Sequence, residues 1–228
     1  MTHTRRVSEA IVSVFETGRP NGDPSAVVVL EDGAGISYGV HQGTDKSGAL
    51  DAIVSRYIAE GGALAVELSA YLPHLVENRS ITAGARAEWV RDLMDVLRRA
   101  GADPIMRQAQ DDVFEEGYWL PAVRIAKRLG LVEPLSMAVI YDTTIHSGPA
   151  GVDRIRPRFR ALPPSRGGAE RAWTRAYVIA RRDWLNAHPT PAVRRTVYRM
   201  AAFLAWIADG RWDLATPLVV PHPRAVIP

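Results

Sequence analysis

The chain has 228 residues, of which 47% are hydrophobic and none is cysteine, and its formal net charge at pH 7 is +3. This composition is that of a folded globular protein with a sizeable core, and it excludes disulfides, thiolate metal sites and a cysteine nucleophile. No run approaches 18 consecutive apolar residues, so no transmembrane helix is predicted. The basic start of the chain is followed by acidic residues in a helical pattern, unlike the apolar core of a signal peptide.

The first predicted element is an amphipathic helix near the start of the chain. Apolar residues recur at helical spacing from Val7 to Phe15, and Gly18 and Pro20 predict that the helix ends there. Glu16 lies beside the apolar face at this end. The pattern therefore predicts a carboxylate in the last turn of a helix with one buried face.

A β-hairpin is predicted to follow this helix. Residues 26–30 read as a strand, the sequence EDGAG reads as a turn, and residues 36–42 read as the returning strand. This arrangement places Asp32 in the turn of the hairpin. It is the only sheet that the sequence pattern predicts.

Beyond the hairpin the pattern is helical almost throughout. One helix is predicted between Ser47, as its N-cap, and Gly61. Further helices are predicted over residues 63–76, 84–100, 104–129, 134–146, 169–187 and 190–209. The stretch 148–168 is predicted to be a long loop, and the tail from Asp213, with four prolines, is predicted to be extended. The fold class is therefore α+β and mostly α, with a single domain over residues 1–228 formed by two lobes with a cleft between them.

Glu16 and Asp32 are the first candidates for catalysis. A carboxyl beside an apolar face is expected to keep its proton and act as a general acid, whereas a solvated carboxylate in a turn suits a general base. Two carboxyl groups in such settings can hydrolyse a glycosidic bond. The residues alone leave an alternative, in which Glu16 is a surface carboxylate and Asp32 only forms the tight turn.

The neighbouring strand offers two more candidates, Ser37 and His41. The hydroxyl of Ser37 could hold an attacking water, and His41 either lines the predicted cleft or makes a structural hydrogen bond. No pattern of His, Asp and Glu has the spacing of metal ligands, and no GxSxG or phosphate-binding motif is present. We therefore expect no metal and no cofactor.

A buried ion pair and a basic region are predicted in the second half of the chain. Asp142 lies in an apolar stretch, so it needs a partner, and arginines of the later helices can provide one. Residues 151–200 carry twelve arginines and three acidic residues, a net charge of +9. This excess reflects either codon usage or a cationic face for an anionic partner. The arginines are dispersed between apolar positions, so we expect no nucleic-acid surface.

Taken together, several segments of the chain resemble the chitosanases of glycoside hydrolase family 46, in the lysozyme-like superfamily. The segments are IVSVFETG, DGAGISYG, QAQDDVFEEGYWLPAVRIAKRLGL, AVIYDTTIHSGPAG, ARRDWL and GRWDLATPL. They occur in the family's order with near-matching spacing over about residues 7–218.

The resemblance implies a lysozyme-like fold and an inverting endo-β-1,4-glycosidase. In this assignment Glu16 is the general acid, Asp32 is the general base, and Ser37 replaces a threonine that positions the water. Inverting enzymes have their two carboxyl groups roughly 6.5–9.5 Å apart.

The resemblance also implies a supporting network behind the catalytic glutamate. Asp142 and Arg181 match two members of that network. A second arginine falls on either Arg194 or Arg195, and Arg195 is taken as the candidate.

Two departures from the family pattern concern the substrate. Ala34 stands where the family has arginine, and Ala49 stands where it has the acid that binds a glucosamine amino group. Asp45 is the nearest acidic candidate for substrate binding. The missing acid and the basic second half favour a polymer with anionic surroundings, such as peptidoglycan, over the polycation chitosan.

The sequence thus predicts a polysaccharide-cleaving monomer that acts outside the cell or on the cell wall, with no nucleic-acid or membrane partner. The substrate is expected to be chitosan or, alternatively, peptidoglycan. A hypothesis of another class is a non-catalytic module that binds polysaccharide.

Overall fold

The computed structural model describes residues 2–30, 35–77 and 88–228. These residues are mostly helical and form two small antiparallel sheets. The chain divides into a larger compact unit, residues 1–20 and 117–228, and a smaller one, residues 21–116. The predicted fold class, mostly α with a small antiparallel sheet near the N-terminus, is confirmed, whereas the single domain with a cleft stays a prediction.

Helix α1 (His3–Thr17) opens the larger unit, as the apolar spacing predicted. The side chain of the N-cap residue Thr2 accepts a hydrogen bond from the main-chain N of Arg5. Gly18 ends the helix at φ 76°, a conformation that favours glycine. The buried face of the helix consists of Val7, Ser8, Ile11, Val12, Ser13, Val14 and Phe15.

The sheet of the smaller unit contains β1 (Val27–Leu30), β2 (Gly35–Tyr38) and β3 (Gly43–Thr44), in that order and antiparallel. The central strand β2 is buried along its whole length. The prediction of one returning strand over residues 36–42 was wrong in its second half. The chain turns after Tyr38, because Gly39 has a φ of 79° and its carbonyl accepts a hydrogen bond from the main-chain N of Gln42.

Five helices complete the description of the smaller unit, and α2 packs against α6. They are α2 (Ala49–Ala59), α3 (Ala65–Ser69), α4 (Leu72–Glu77), α5 (Glu88–Ala100) and α6 (Pro104–Phe114). The single helix predicted over residues 63–76 is two short helices. Pro73 explains the break, because proline lacks an N–H and is accommodated only in the first turn of a helix, here that of α4.

The helical run predicted over residues 104–129 is interrupted in the structure. A π-helical turn (Glu115–Trp119) lies between α6 and α7 (Leu120–Leu129). Pro121 in the first turn of α7 cannot donate the hydrogen bond that a continuous α-helix would need, which explains the wider turn before it. The boundary between the two units falls within this turn.

The rest of the larger unit is built around α8, which is buried from Leu135 to Thr144 and packs against α1, α7 and α10. Its elements are α8 (Pro134–Ser147), α9 (Gly151–Ile155), α10 (Glu170–Asn186), α11 (Pro191–Arg194), α12 (Tyr198–Ala208), β4 (Leu218–Val220) and β5 (Ala225–Ile227). None of the helices in the described ranges is long and apolar enough to cross a membrane.

Two predictions for this unit were wrong. The stretch 148–168 is not a continuous loop, because Val152 and Ile155 are buried and anchor the short helix α9. The tail is not simply extended, because β4 and β5 pair as an antiparallel hairpin. Leu218, Val220 and Ile227 are buried while Val219 and Val226 are exposed, the alternation of a sheet with one solvated face.

Candidate active site

Glu16 lies in the last turn of α1, with its side chain 30% exposed. Arg199 at the start of α12 donates a hydrogen bond from Nη2 to Glu16 Oε1. The preceding residue, Tyr198, donates its hydroxyl to the main-chain oxygen of Phe15 at 2.6 Å. This bond satisfies one of the carbonyls that a helix end leaves unpaired. Two consecutive residues of α12 therefore fix two consecutive residues at the end of α1.

Behind Glu16 lies a fully buried network centred on Asp142 of α8. Arg199 Nη1 donates to Asp142 Oδ1 at 2.8 Å, and Arg181 Nη1 of α10 donates to Asp142 Oδ2 at 2.5 Å. The side chains of Asp142 and Arg181 have no exposed surface, and that of Arg199 is 2% exposed. Each oxygen of the Asp142 carboxylate thus accepts from a guanidinium group, which limits the cost of burying these charges.

The charges within the network shift the pKa values of Asp142 and Arg199. Burial by itself would raise the pKa of Asp142, but the positive charges of Arg181 and Arg199 outweigh it and hold that pKa below the usual range. Burial would likewise lower the pKa of Arg199, yet Glu16 and Asp142 raise it further above the ordinary value. Arg199 is therefore a permanent cation that joins the buried carboxylate to Glu16.

The second arginine of this network is Arg199, so the prediction of Arg195 was wrong. Arg195 is exposed on the 3-10 turn that precedes α12, whereas Arg199 lies one helical turn later on the buried face. Arg194, the other candidate, donates to the main-chain oxygens of His188 and Pro189. A signal for Arg199 does exist in the sequence, because it stands alone among apolar residues in YRMAAFLAWIA.

His146 lies one turn beyond Asp142 on α8, and its Nδ1 is 3.1 Å from the hydroxyl of Ser147. Burial, together with the nearby Arg181 and Arg199, lowers the pKa of His146 to about 3, although Asp142 opposes them. The imidazole is therefore neutral in the folded protein at pH values where an unfolded histidine, with a pKa of 6.5, is protonated.

This difference predicts a loss of stability in acid. Below pH 6.5 the unfolded chain binds a proton at His146 that the folded chain does not bind, so the free energy of unfolding falls by up to about 1.4 kcal/mol per pH unit. In His146→Gln this contribution disappears, and the curve of unfolding free energy against pH becomes shallower between about pH 6.5 and about pH 4. Urea unfolding across this range tests it, with exposed His3→Gln as the control. Parallel curves for His146→Gln and the wild type would contradict the assignment.

In the smaller unit, Asp32 and Ala34 lie outside the described residues. Ser37 of β2 is described, and it lies opposite Val28 on one side and Thr44 on the other. Its side chain is buried, and its Oγ is 3.0 Å from Gln42 Oε1 and 3.2 Å from the main-chain oxygen of Gln42. The role of Ser37 in holding a water stays a prediction, and Gln42 is a neighbour that the sequence did not single out.

The other two predicted site residues of this unit are held by their neighbours. The ring of His41 stacks on Phe114 with 4.5 Å between centroids, and its Nε2 is 3.9 Å from Asp111 Oδ1. Asp45 is only 1% exposed, and its Oδ1 accepts from the main-chain N of Lys46. Its assignment to substrate binding stays a prediction.

Asp45 also packs against the backbone of β2. A Cβ placed on Gly35 would lie 2.0 Å from Asp45 Oδ1, and Gly35 has a φ of 74°. Only glycine fits this position, because of both the left-handed backbone and the carboxylate beside it. Asp45 thus fixes the start of the strand that carries Ser37.

Gln110 of α6 explains part of the QAQ motif. It is 1% exposed, its Oε1 accepts from the main-chain N of Val40 at 2.9 Å, and its Nε2 donates to the main-chain oxygen of Pro24 at 2.9 Å. A Cβ on Gly39 would lie 2.3 Å from Gln110 Oε1. Gln110 therefore anchors the sheet to α6 and has a structural role.

Across the described parts of the chain, no group of three or more His, Asp and Glu side chains is arranged to hold a metal ion. The chemistry that these residues offer is that of carboxyl groups and hydroxyls.

Comparison with known proteins identifies relatives along almost the whole chain. Residues 10–218 match the model of glycosyl hydrolase family 46. The chain is 25% identical over 237 aligned residues to a chitosanase of Bacillus subtilis strain 168, with 95% of this chain and 81% of that protein covered. It is 29% identical over 201 residues to a chitosanase of Streptomyces sp. strain N174, with 83% and 68% covered.

A solved structure is similar over the full length. The family 46 chitosanase of Gynuella sunshinyii, in complex with chitotetraose, gives a TM-score of 0.85 at 25% identity. The alignment covers 100% of this chain and 98% of that one.

Proposed function

The chain belongs to glycosyl hydrolase family 46 and is a glycoside hydrolase, and on this premise we propose that it is an inverting endo-β-1,4-glycosidase that cleaves chitosan. The similarity to chitosanases, one of them bound to chitotetraose, supports the substrate. The observation that carries the proposed chemistry is Glu16 at the end of α1, held by Arg199 and backed by the buried Asp142.

In this mechanism Glu16 is the general acid. It gives its proton to the glycosidic oxygen as the bond to the anomeric carbon breaks, so that the leaving sugar departs as an alcohol. Its fixed position supports this role, because Arg199 holds the carboxyl group and Tyr198 holds the backbone one residue before it. Because the carboxyl group is already oriented, less conformational entropy is lost when the transition state forms.

Asp32 is the proposed general base. It removes a proton from a water molecule that attacks the anomeric carbon from the face opposite the leaving group, and the product therefore has inverted configuration. Ser37 is the proposed second contact of this water. Ser37 stands five residues after Asp32 in the sequence, and pairing of β2 on both sides holds the Ser37 backbone.

Peptidoglycan is a second candidate substrate, and one observation favours it. Without the buried Arg181 and Arg199, residues 151–200 still carry ten arginines and three acidic residues, a net charge of +7. Ala49, at the position where the resemblance places an acid, is buried. A cationic surface without that acid repels a polymer of protonated glucosamine and attracts an anionic one.

A reducing-end assay on soluble chitosan and on purified sacculi tests both substrates. We expect new reducing ends from chitosan, with the α-anomer of the product formed first, as observed by proton NMR within the first minutes. Formation of the β-anomer first would contradict inversion. Turbidity loss and muropeptides from sacculi, without products from chitosan, would replace chitosan by peptidoglycan as the substrate.

A further inference from the structure

Gln42, in the turn between β2 and β3, has an unusual backbone. Its φ is 53°, and Gln42 and Leu214 are the non-glycine residues with positive φ in the described chain. This left-handed region is unfavourable for residues with a Cβ and is uncommon for glutamine. A glutamine that stays there is held by its contacts, and such outliers are enriched where function requires a particular geometry.

The side chain of Gln42 is fixed in one orientation. Its Nε2 lies 2.9 Å from the main-chain oxygen of Gly39, which can only accept a hydrogen bond. The amide nitrogen must therefore point to Gly39, and the amide oxygen Oε1 points to Ser37 Oγ at 3.0 Å. The amide is thus held between the Gly39 carbonyl and the Ser37 hydroxyl.

This orientation determines which way the hydroxyl of Ser37 points. Both Gln42 atoms near Ser37 Oγ, Oε1 at 3.0 Å and the main-chain oxygen at 3.2 Å, are acceptors and cannot donate. Ser37 must therefore donate its proton toward Gln42. Within residues 2–30, 35–77 and 88–228 no group donates to Ser37 Oγ, so its lone pairs can accept a hydrogen bond.

An accepting hydroxyl is what the nucleophilic water of an inverting reaction needs. That water gives one proton to the base and presents a lone pair to the anomeric carbon, so its second O–H requires an acceptor. We propose that Gln42 is a positioning residue. It accepts a hydrogen bond from the Ser37 hydroxyl, so that Ser37 Oγ can in turn accept a hydrogen bond from the attacking water. This inference rests on the proposed function, in which Asp32 is the base and Ser37 contacts the water.

Two substitutions separate positioning from a purely structural role. Gln42→Gly removes the amide and also relieves the left-handed backbone, so the protein should be as stable as the wild type or more so. Gln42→Met removes the amide but keeps the length of the side chain and the unfavourable backbone. If Gln42 positions Ser37, both variants lose about tenfold in kcat with KM within about twofold. The reason is that only the main-chain oxygen, the more distant acceptor at 3.2 Å, is left to hold the proton of Ser37.

The competing outcome is distinct. If Gln42 only closes the turn, activity follows stability, and Gln42→Gly has the kcat of the wild type. Gln108→Met is the matched control, because Gln108 is an exposed glutamine of the same unit whose amide donates to Asp112. It should leave kcat unchanged.

The Ser37→Ala background completes the test. We expect the kcat of Ser37→Ala to be about a hundredfold below that of the wild type. Adding Gln42→Gly to Ser37→Ala should lower kcat no further, because the hydroxyl that Gln42 orients is already absent. If Ser37→Ala has a low kcat but the Gln42 variants have the kcat of the wild type, the role of Gln42 is overturned and the proposed function stands. A normal kcat in Ser37→Ala overturns both the water contact and this inference.

Discussion

Glu16→Gln is expected to lower kcat on chitosan by about 10²–10⁴-fold, with KM changed by only a few-fold. Glutamine has the same shape and can still bond to Arg199, but it has no proton to give to the leaving oxygen. The loss therefore belongs to the transition state, and reducing-end kinetics on a soluble polymer measure it directly.

The leaving group provides a sharper readout of the same prediction. A chitooligosaccharide with a 4-nitrophenyl group at its reducing end releases a phenolate that departs without protonation. Glu16→Gln should therefore recover most of its rate on this substrate, whereas Asp32→Asn should stay slow on both substrates, because it lacks the base. Equal losses on both substrates for Glu16→Gln would contradict its assignment as the acid.

A matched control lies on the same helix. Glu9 of α1 forms an ion pair with Arg5, 2.8 Å between Oε1 and Nε, and its side chain is 19% exposed. Glu9→Gln makes the same chemical change two turns earlier and also removes an ion pair. It should have a melting temperature similar to that of Glu16→Gln and the kcat of the wild type.

Asp142→Asn is expected to lower the free energy of unfolding by about 3–5 kcal/mol, a large part of the stability of a typical domain. Asparagine fills the same volume, but it leaves two buried arginines with no buried carboxylate. Its amide nitrogen would also face one of the two guanidinium donors that Oδ1 and Oδ2 now accept. Urea unfolding at neutral pH, read by tryptophan fluorescence, measures the loss.

The control for this prediction is another Asp–Arg pair of the same unit. Asp153 pairs with Arg128 at 2.9 Å, with the two side chains 65% and 58% exposed. Because water screens such a pair, Asp153→Asn should change the free energy of unfolding by less than about 1 kcal/mol. If Asp142→Asn also lowered the free energy of unfolding by less than about 1 kcal/mol, the buried network would contribute little to the packing of α8, α10 and α12.

The helix that carries Glu16 could be predicted from the sequence because its signals are local. Apolar spacing and the glycine after Thr17 define α1 and its end. The need of Asp142 for a partner could also be predicted, since a carboxylate in an apolar helix must be neutralised. Its partner Arg181 came from the family resemblance, because spacing alone does not show which helices meet.

Arg199 and Gln42 were missed for different reasons. Matching the chain to the family pattern requires an insertion near Arg195, and this shifted the expected arginine by one helical turn from the residue that faces Asp142. Gln42 was missed because glutamine does not signal positive φ. The contacts of its amide with Gly39 and Ser37 hold that backbone, and they exist only after the turn has formed.

The C-terminal hairpin was missed because its sequence signals conflict. The tail from Asp213 contains four prolines, which favour extended, unpaired chain. The strands β4 and β5 fit between these prolines with only three residues each. The buried Leu218, Val220 and Ile227 stabilise a pairing that the local pattern does not favour.

The hydrogen bond from Arg199 to Glu16 spans 183 residues of sequence, and this has a consequence for synthesis on the ribosome. Residues 1–20 of the larger unit are made first, but the rest of that unit follows only after the whole smaller unit. At about 5–20 residues per second, Glu16 waits roughly 10–40 s before Arg199 has been translated. The bond between Glu16 and Arg199 therefore cannot form in the nascent chain until the smaller unit and most of the larger unit have been translated.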